Sequence, residues 1–98
     1  MPGYVIAIAR IDEMTDGLKE YIGKSAELSA KHGGEYVVRG PAAEVLEGEH
    51  LRGRSVVISK FETLEKAKAF YHSEAYAKEI RPLREGSGVY DVAIFEGP

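Results

Sequence analysis

Ninety-eight residues with no cysteine, thirteen Lys and Arg against sixteen Asp and Glu, and a formal charge of −3 describe a chain of single-domain size. A domain of that length buries roughly 60 to 70% of its unfolded-chain surface and needs no covalent staple. The lack of cysteine excludes a disulfide framework, thiolate catalysis and Cys-based metal or iron–sulfur sites, and fits a reducing, cytoplasmic setting; the acidic balance gives no electrostatic basis for a nucleic-acid partner.

From Tyr4 to Ile11 the side chains alternate between a Tyr4, Ile6, Ile8 face and a Val5, Ala7, Ala9, Ile11 face, and both are apolar, as in a central strand covered on two sides. The run Tyr4 to Ala9 is the longest apolar stretch, far short of the roughly 20 residues a membrane span requires, and no basic segment precedes it as a signal peptide demands. Asp12, Thr15 and Asp16 offer side-chain oxygens to a starting helix, whose inward stripe reads Leu18, Tyr21 or Ile22, Ser25, Leu28 or Ser29. Gly33-Gly34 ends it, with His32 at the negative helix terminus. Glu35 to Gly40 reads as a second strand, with Tyr36-Val37-Val38-Arg39 as its body, broken and placed at a sheet edge by Gly40-Pro41, and Ala43 to Glu47 alternates as a short further strand before a turn over Gly48 to Gly53. Arg54 to Phe61 is a third strand with Val56 and Ile58 opposing Val57 and Phe61. Thr63 caps a helix carrying Leu64, Ala67, Phe70 and Tyr71, and Ser73 caps another carrying Tyr76 and Ile80, which Pro82 interrupts so that Arg81 marks an end or a bend. After a turn at Gly86-Ser87-Gly88, the last strand runs from Val89 to Glu96.

Strand, helix, strand, strand, helix, strand is the ferredoxin-like order, an α+β fold in which both helical layers cover one side of a four-stranded antiparallel sheet. Residues 1–98 form this single domain, with no linker or low-complexity tract. A bare sheet side normally shows polar alternation, and the first, third and fourth strands do not show it. Covering that side with a second copy gives a homodimer through the sheet face, two sheets forming a barrel.

The block Gly33-Gly34-Glu35-Tyr36-Val37-Val38-Arg39-Gly40, followed by Glu44-Val45-Leu46-Glu47-Gly48 and Arg54, resembles the family of domain of unknown function 1330. The likeness continues through Ala69-Phe70-Tyr71-His72-Ser73-Glu74-Ala75-Tyr76 and the Glu96-Gly97 ending, so it covers practically the whole chain. It implies a dimeric α+β barrel, a scaffold shared with small cofactor-free monooxygenases, lactone isomerases and proteins with no known reaction. Pro41, where a second glycine is usual, and the rearranged Arg81-Pro82-Leu83-Arg84 depart from the family pattern.

Among groups able to carry chemistry, Arg39 stands in a strand beside a glycine, where a fixed guanidinium can fork onto a carboxylate; the plainer alternative is an ion pair with Glu47 or Glu44. Arg54 invites the same two readings, its plainer one being neutralisation by the acidic hairpin. His32, His50 and His72 are single and far apart, which argues against a metal site, and no motif implies any other cofactor. His72 beside Tyr71, or Glu47, is a candidate general base. Gly48 to Ser55 imitates a phosphate-binding loop but leads into a strand rather than a helix N-terminus. Tyrosine supplies six of the nine aromatics, and Tyr21, Tyr36 and Tyr71 are placed at the cleft between helices and sheet. The expected function is binding of a small anionic or hydroxylated organic molecule through Arg39, Arg54 and these tyrosines, open to cofactor-free proton transfer or isomerisation. A non-catalytic dimeric module is the alternative, and whether the protein is an enzyme stays open.

Overall fold

β1 (Gly3–Ile11) is the spine of the molecule because it is hydrogen-bonded on both edges: Ile6 stands opposite Ile58 on one side and Ala93 on the other. The structure, a computed structural model, describes residues Met1–Pro98. β2 (Glu35–Pro41), β3 (Ser55–Phe61) and β4 (Gly88–Glu96) complete an antiparallel sheet in the order β2-β3-β1-β4. With α1 (Asp16–Lys31) between β1 and β2 and α2 (Leu64–Tyr71) between β3 and β4, this is the α+β, ferredoxin-like arrangement expected from the element order.

Each helix starts where a threonine side chain takes up an orphan N–H. Thr15 Oγ1 accepts from Leu18 N at 3.0 Å and Thr63 Oγ1 from Lys66 N at 3.1 Å. Asp12 is drawn away from the cap by Arg10, whose Nε donates to it at 3.0 Å. α1 ends on Gly33, whose φ of +81° an L side chain resists, while the N–H of Gly34 returns to the carbonyl of Ser29. His32 caps the carbonyl end through Nδ1, which must carry the proton because its partner is the Leu28 carbonyl. Gly34 then passes so close to Phe61 that a Cβ there would stand 2.7 and 2.8 Å from its ring carbons.

The packed core lies under α2. Phe61 is fully buried and stacks on Phe70 at 5.5 Å between centroids, and Tyr76 packs 5.2 Å from Phe70 and 4.7 Å from Tyr71. Ala67, Val5 and Ile80 close this cluster.

The chain departs from the sequence-based expectation in two places. Ala43 to Glu47 forms no strand: β3 is already paired on both edges, by β2 and β1, so the segment has no ladder to join, and residues 42–54 return as an irregular loop. The helix capped by Ser73, whose Oγ accepts from Tyr76 N at 3.2 Å, is a widened π-helical turn over Ala75–Ile80. It tightens to a 3₁₀ turn over Arg81–Arg84 instead of ending at Arg81. Pro82 sits in the first turn of that 3₁₀ segment, where a missing N–H is tolerated.

Both helical layers cover the same side of the sheet. The molecule measures 33 × 32 × 15 Å, a thickness that accommodates one sheet and one helical layer. The opposite sheet side carries Ile6, Ile8, Val56, Ile58, Ala93 and Phe95 with no layer over them, and Phe95 is 52% exposed. No helix is long and apolar enough to cross a membrane.

Candidate functional site

The helix-facing floor of the two central strands is built from small residues. Val5 is buried against α2, but further along come Ala7 and Ala9 on β1 and Ser55, Val57 and Ser59 on β3. α1 bridges this floor without filling it, since Ser25 stands where a long apolar chain would reach the sheet, and a cavity of about 300 Å³ remains between the layers. Leu18, Ile22 and Met14 supply apolar wall from above, and Phe70, Tyr71 and Tyr76 close the core end.

Two guanidinium groups meet this cavity, one associated with each edge strand. Arg39 lies on β2, exposed, with its guanidinium carbon 4.6 Å from the centre of the Tyr36 ring; both residues line the cavity. Arg84 enters from the 3₁₀ turn at the β4 side and is half-buried, 4.3 Å over the Tyr90 ring. Its Nη1 donates to the Tyr21 hydroxyl at 3.2 Å, and Tyr21 and Tyr76 share a hydrogen bond of 2.7 Å. Tyr76 is only 2% exposed, and burial first, then the Tyr21 oxygen, pushes its phenol far above the usual tyrosine value near 10. Burial also raises Tyr36, with the Arg39 charge opposing. For Arg84, burial works against the cation, but the phenol oxygens of Tyr21, Tyr76 and Tyr71 outweigh it and raise its pKa. Ser87 Oγ donates to the Arg84 carbonyl, so its single proton is spent and the Tyr90 hydroxyl donates to Ser87 in turn, at 2.6 Å.

Of the residues singled out in the sequence, Arg39, Tyr21, Tyr36 and Tyr71 all line the cavity. Arg39 has no ion pair with Glu47 or Glu44; both carboxylates lie in the irregular loop, exposed. Arg54 is not part of the site. It shares strand parity with Val56 and Ile58, and this turns it to the bare sheet side, where its nearest counter-charge is Asp91 at 3.8 Å rather than the hairpin carboxylates. His72 and Glu47 are likewise outside: His72 caps α2 and is exposed, its ring 5.9 Å from that of Tyr71 on the solvent side, and neither candidate base lines the cavity. The titratable side chains on the wall are tyrosines and arginines. Sequence reasoning missed Arg84 and Tyr90 and read Tyr76 only as a helix position. The signal was present in the spacing, because Tyr76, Ile80 and Arg84 recur every fourth residue and an inward Tyr76 and Ile80 carry Arg84 inward with them.

Similarity to known proteins agrees with this architecture. A protein of unknown function from Rhodopseudomonas palustris, RPA0582, superposes with a TM-score of 0.75 at 17% identity, covering 99% of this chain and 82% of that one. SnoaB, a cofactor-independent oxygenase from Streptomyces nogalater, gives 0.63 at 10% identity, over 99% and 93%. An antibiotic biosynthesis monooxygenase-like protein of Nitrosomonas europaea gives 0.58 at 16%, over 98% and 89%. At these identities the likeness is one of fold. No curated protein matches the sequence. Residues 2–98 do match one family throughout, and the chain belongs to it: the domain of unknown function family DUF1330.

Proposed function

We propose that this protein binds a small anionic or hydroxylated organic molecule in the cavity between its helices and sheet, and that it does so as a homodimer joined through the bare sheet face. The observation that carries the reading is a largely apolar cavity of about 300 Å³ met by two guanidinium groups that are not ion-paired. That volume is at the lower end of the roughly 300 to 1,000 Å³ usual for small-molecule sites, and a few convergent polar groups on apolar walls are their ordinary chemistry. An empty apolar space costs stability, so small residues on a central-strand floor are retained where something else fills it. Homodimer formation rests on Ile6, Ile8, Val56, Ile58 and Phe95 facing outward together, since burying apolar surface stabilises by about 25 cal/mol per Å². The fold likeness to a cofactor-independent oxygenase supports an extension to cofactor-free proton transfer. Any such step falls to a cavity tyrosine rather than to His72 or Glu47.

A thermal-shift screen over small carboxylic and hydroxylated aromatic compounds tests this. Wild type is expected to gain several degrees with at least one compound, and Arg39→Ala to gain less, because a ligand that binds only the folded state stabilises it by RT ln(1 + [L]/Kd). A flat response across the set, with the protein folded, contradicts the binding reading and leaves a non-catalytic dimeric module.

A further inference from the structure

Arg84 is a half-buried charged side chain on the cavity wall, and it has no carboxylate within 4 Å. Every ion pair in the molecule is made elsewhere: Asp12 with Arg10, Glu20 with Lys24, Glu27 with Lys31, Glu49 with Arg52, Glu62 with Lys66, Glu74 with Lys78, and Asp91 with Arg54 on the far side of the sheet. A guanidinium has five N–H donors, and only the Nη1 bond to Tyr21 engages one of them within the protein. The group is nevertheless held firmly. Its backbone carbonyl is fixed by Ser87, the Tyr90 ring lies 4.3 Å away, and the Tyr21 oxygen that receives its proton is tied to Tyr76 at 2.7 Å. A fixed, half-buried cation with free donors on an otherwise apolar wall is a receptor for a planar oxyanion, because partly desolvated charges persist when paired and a guanidinium fork matches a carboxylate.

We infer that the ligand is a carboxylate on a flat, apolar or aromatic body, and that its charged end is taken by Arg84 and not by Arg39. This inference rests on the proposed ligand-binding reading. A monoanion is favoured over a phosphate ester because one guanidinium with neighbouring phenols balances a single charge. The aromatic lining, with Tyr21, Phe70, Tyr71 and Tyr90, favours ring stacking for the body. Arg39, exposed over Tyr36 at the β2 side, is placed to meet the ligand's distal end.

Calorimetric titration with 2-naphthoate and with 2-naphthamide, its neutral isostere, tests the assignment, with 2-naphthylphosphonate as a third probe. Wild type is expected to prefer the carboxylate over the amide by about 10- to 100-fold, the range of a charge-assisted hydrogen-bond pair. Arg84→Gln is expected to bring that preference to near unity, and Arg39→Gln to keep it. Arg84→Lys, which keeps the charge and drops the fork, is the variant to read if the glutamine protein does not fold; its preference is expected to fall several-fold. Equal binding of carboxylate and amide by wild type, tighter binding of the phosphonate than of the carboxylate, an unchanged preference in the Arg84 variants, or its loss in Arg39→Gln alone each overturns the inference while leaving the cavity as a binding site. Binding of none of the probes by folded wild type removes the inference and the cavity reading together.

Discussion

Replacing Ala7 by leucine asks whether the space between sheet and helices is real. Ala7 is on the central strand between Val57 and Val92, with its methyl on the cavity floor. Leucine adds three carbons, each with about the 30 Å³ that one water occupies in the liquid, so the cavity of about 300 Å³ loses roughly a third of its volume. Three buried carbons at about 0.8 kcal/mol each are worth about 2.4 kcal/mol. Fixing the leucine rotamer costs about 0.5 to 1 kcal/mol and its imperfect fit somewhat more, which leaves a net gain of about 1 kcal/mol. For a domain of this size that is a rise in Tm of about 4 to 8 °C. Thermal and urea unfolding measure the stability, and the ligand-induced thermal shift measures the site. The expected result is a protein that is more stable and no longer responds to ligand. If the layers were closed on each other in solution, the same leucine would overpack the interior and destabilise by about 1 to 3 kcal/mol. That loss refutes the account of the cavity.

Three further outcomes follow from particular contacts. The folded state holds the Tyr76 proton more tightly than the unfolded chain, whose phenol ionises near 10, so this group's stabilisation is complete below about pH 10 and is lost progressively as pH rises above it. Phenolate absorbance should show Tyr76 ionising only with unfolding, and Tyr76→Phe should flatten the alkaline fall in stability; ionisation of all six tyrosines near pH 10 in the folded protein contradicts the buried Tyr21–Tyr76 pair. Gly34→Ala drives a methyl against the Phe61 ring and is expected to cost about 1 to 3 kcal/mol in chemical denaturation, whereas Gly23→Ala, on an open face of α1, should be neutral or slightly stabilising. Ile58→Glu on the bare sheet face should convert a dimer to a monomer in sedimentation equilibrium while leaving the circular dichroism spectrum intact; a monomeric wild type at micromolar concentration contradicts the proposed dimer.

Most of the fold was legible because strand parity and helix caps are local signals. The two apolar faces of Tyr4 to Ile11 required a central strand, and Thr15, Gly33 and Thr63 marked helix ends that the structure places at the same residues. Ala43 to Glu47 was misread because alternation alone does not supply a neighbour to pair with, and the only free sheet edges belong to β2 and β4. The site was legible in part. Arg39 was marked by its place beside a glycine and the cleft tyrosines by their share of the aromatics, yet the two apolar faces of β1 differ in volume, isoleucines on one and alanines on the other. That difference separates a packed surface from a cavity floor, and hydrophobicity without size does not express it. Arg84 was hidden because Pro82 reads as a helix terminator, although the fourfold spacing from Tyr76 through Ile80 continues across it. Arg54 was misplaced by chain proximity to the acidic hairpin, where strand parity puts it beside Asp91.

Side-chain methyl chemical shifts recorded by NMR during titration with 2-naphthoate test the binding site most directly, because methyl groups alternate between the two sheet faces along a strand. The account predicts saturable shifts concentrated at the methyl groups of Ala7, Ala9, Leu18, Val57 and Val92, with little change at those of Ile6, Val56, Ile58 and Ala93 on the other sheet side. Saturable shifts confined to that other side, or none at millimolar ligand, would contradict it.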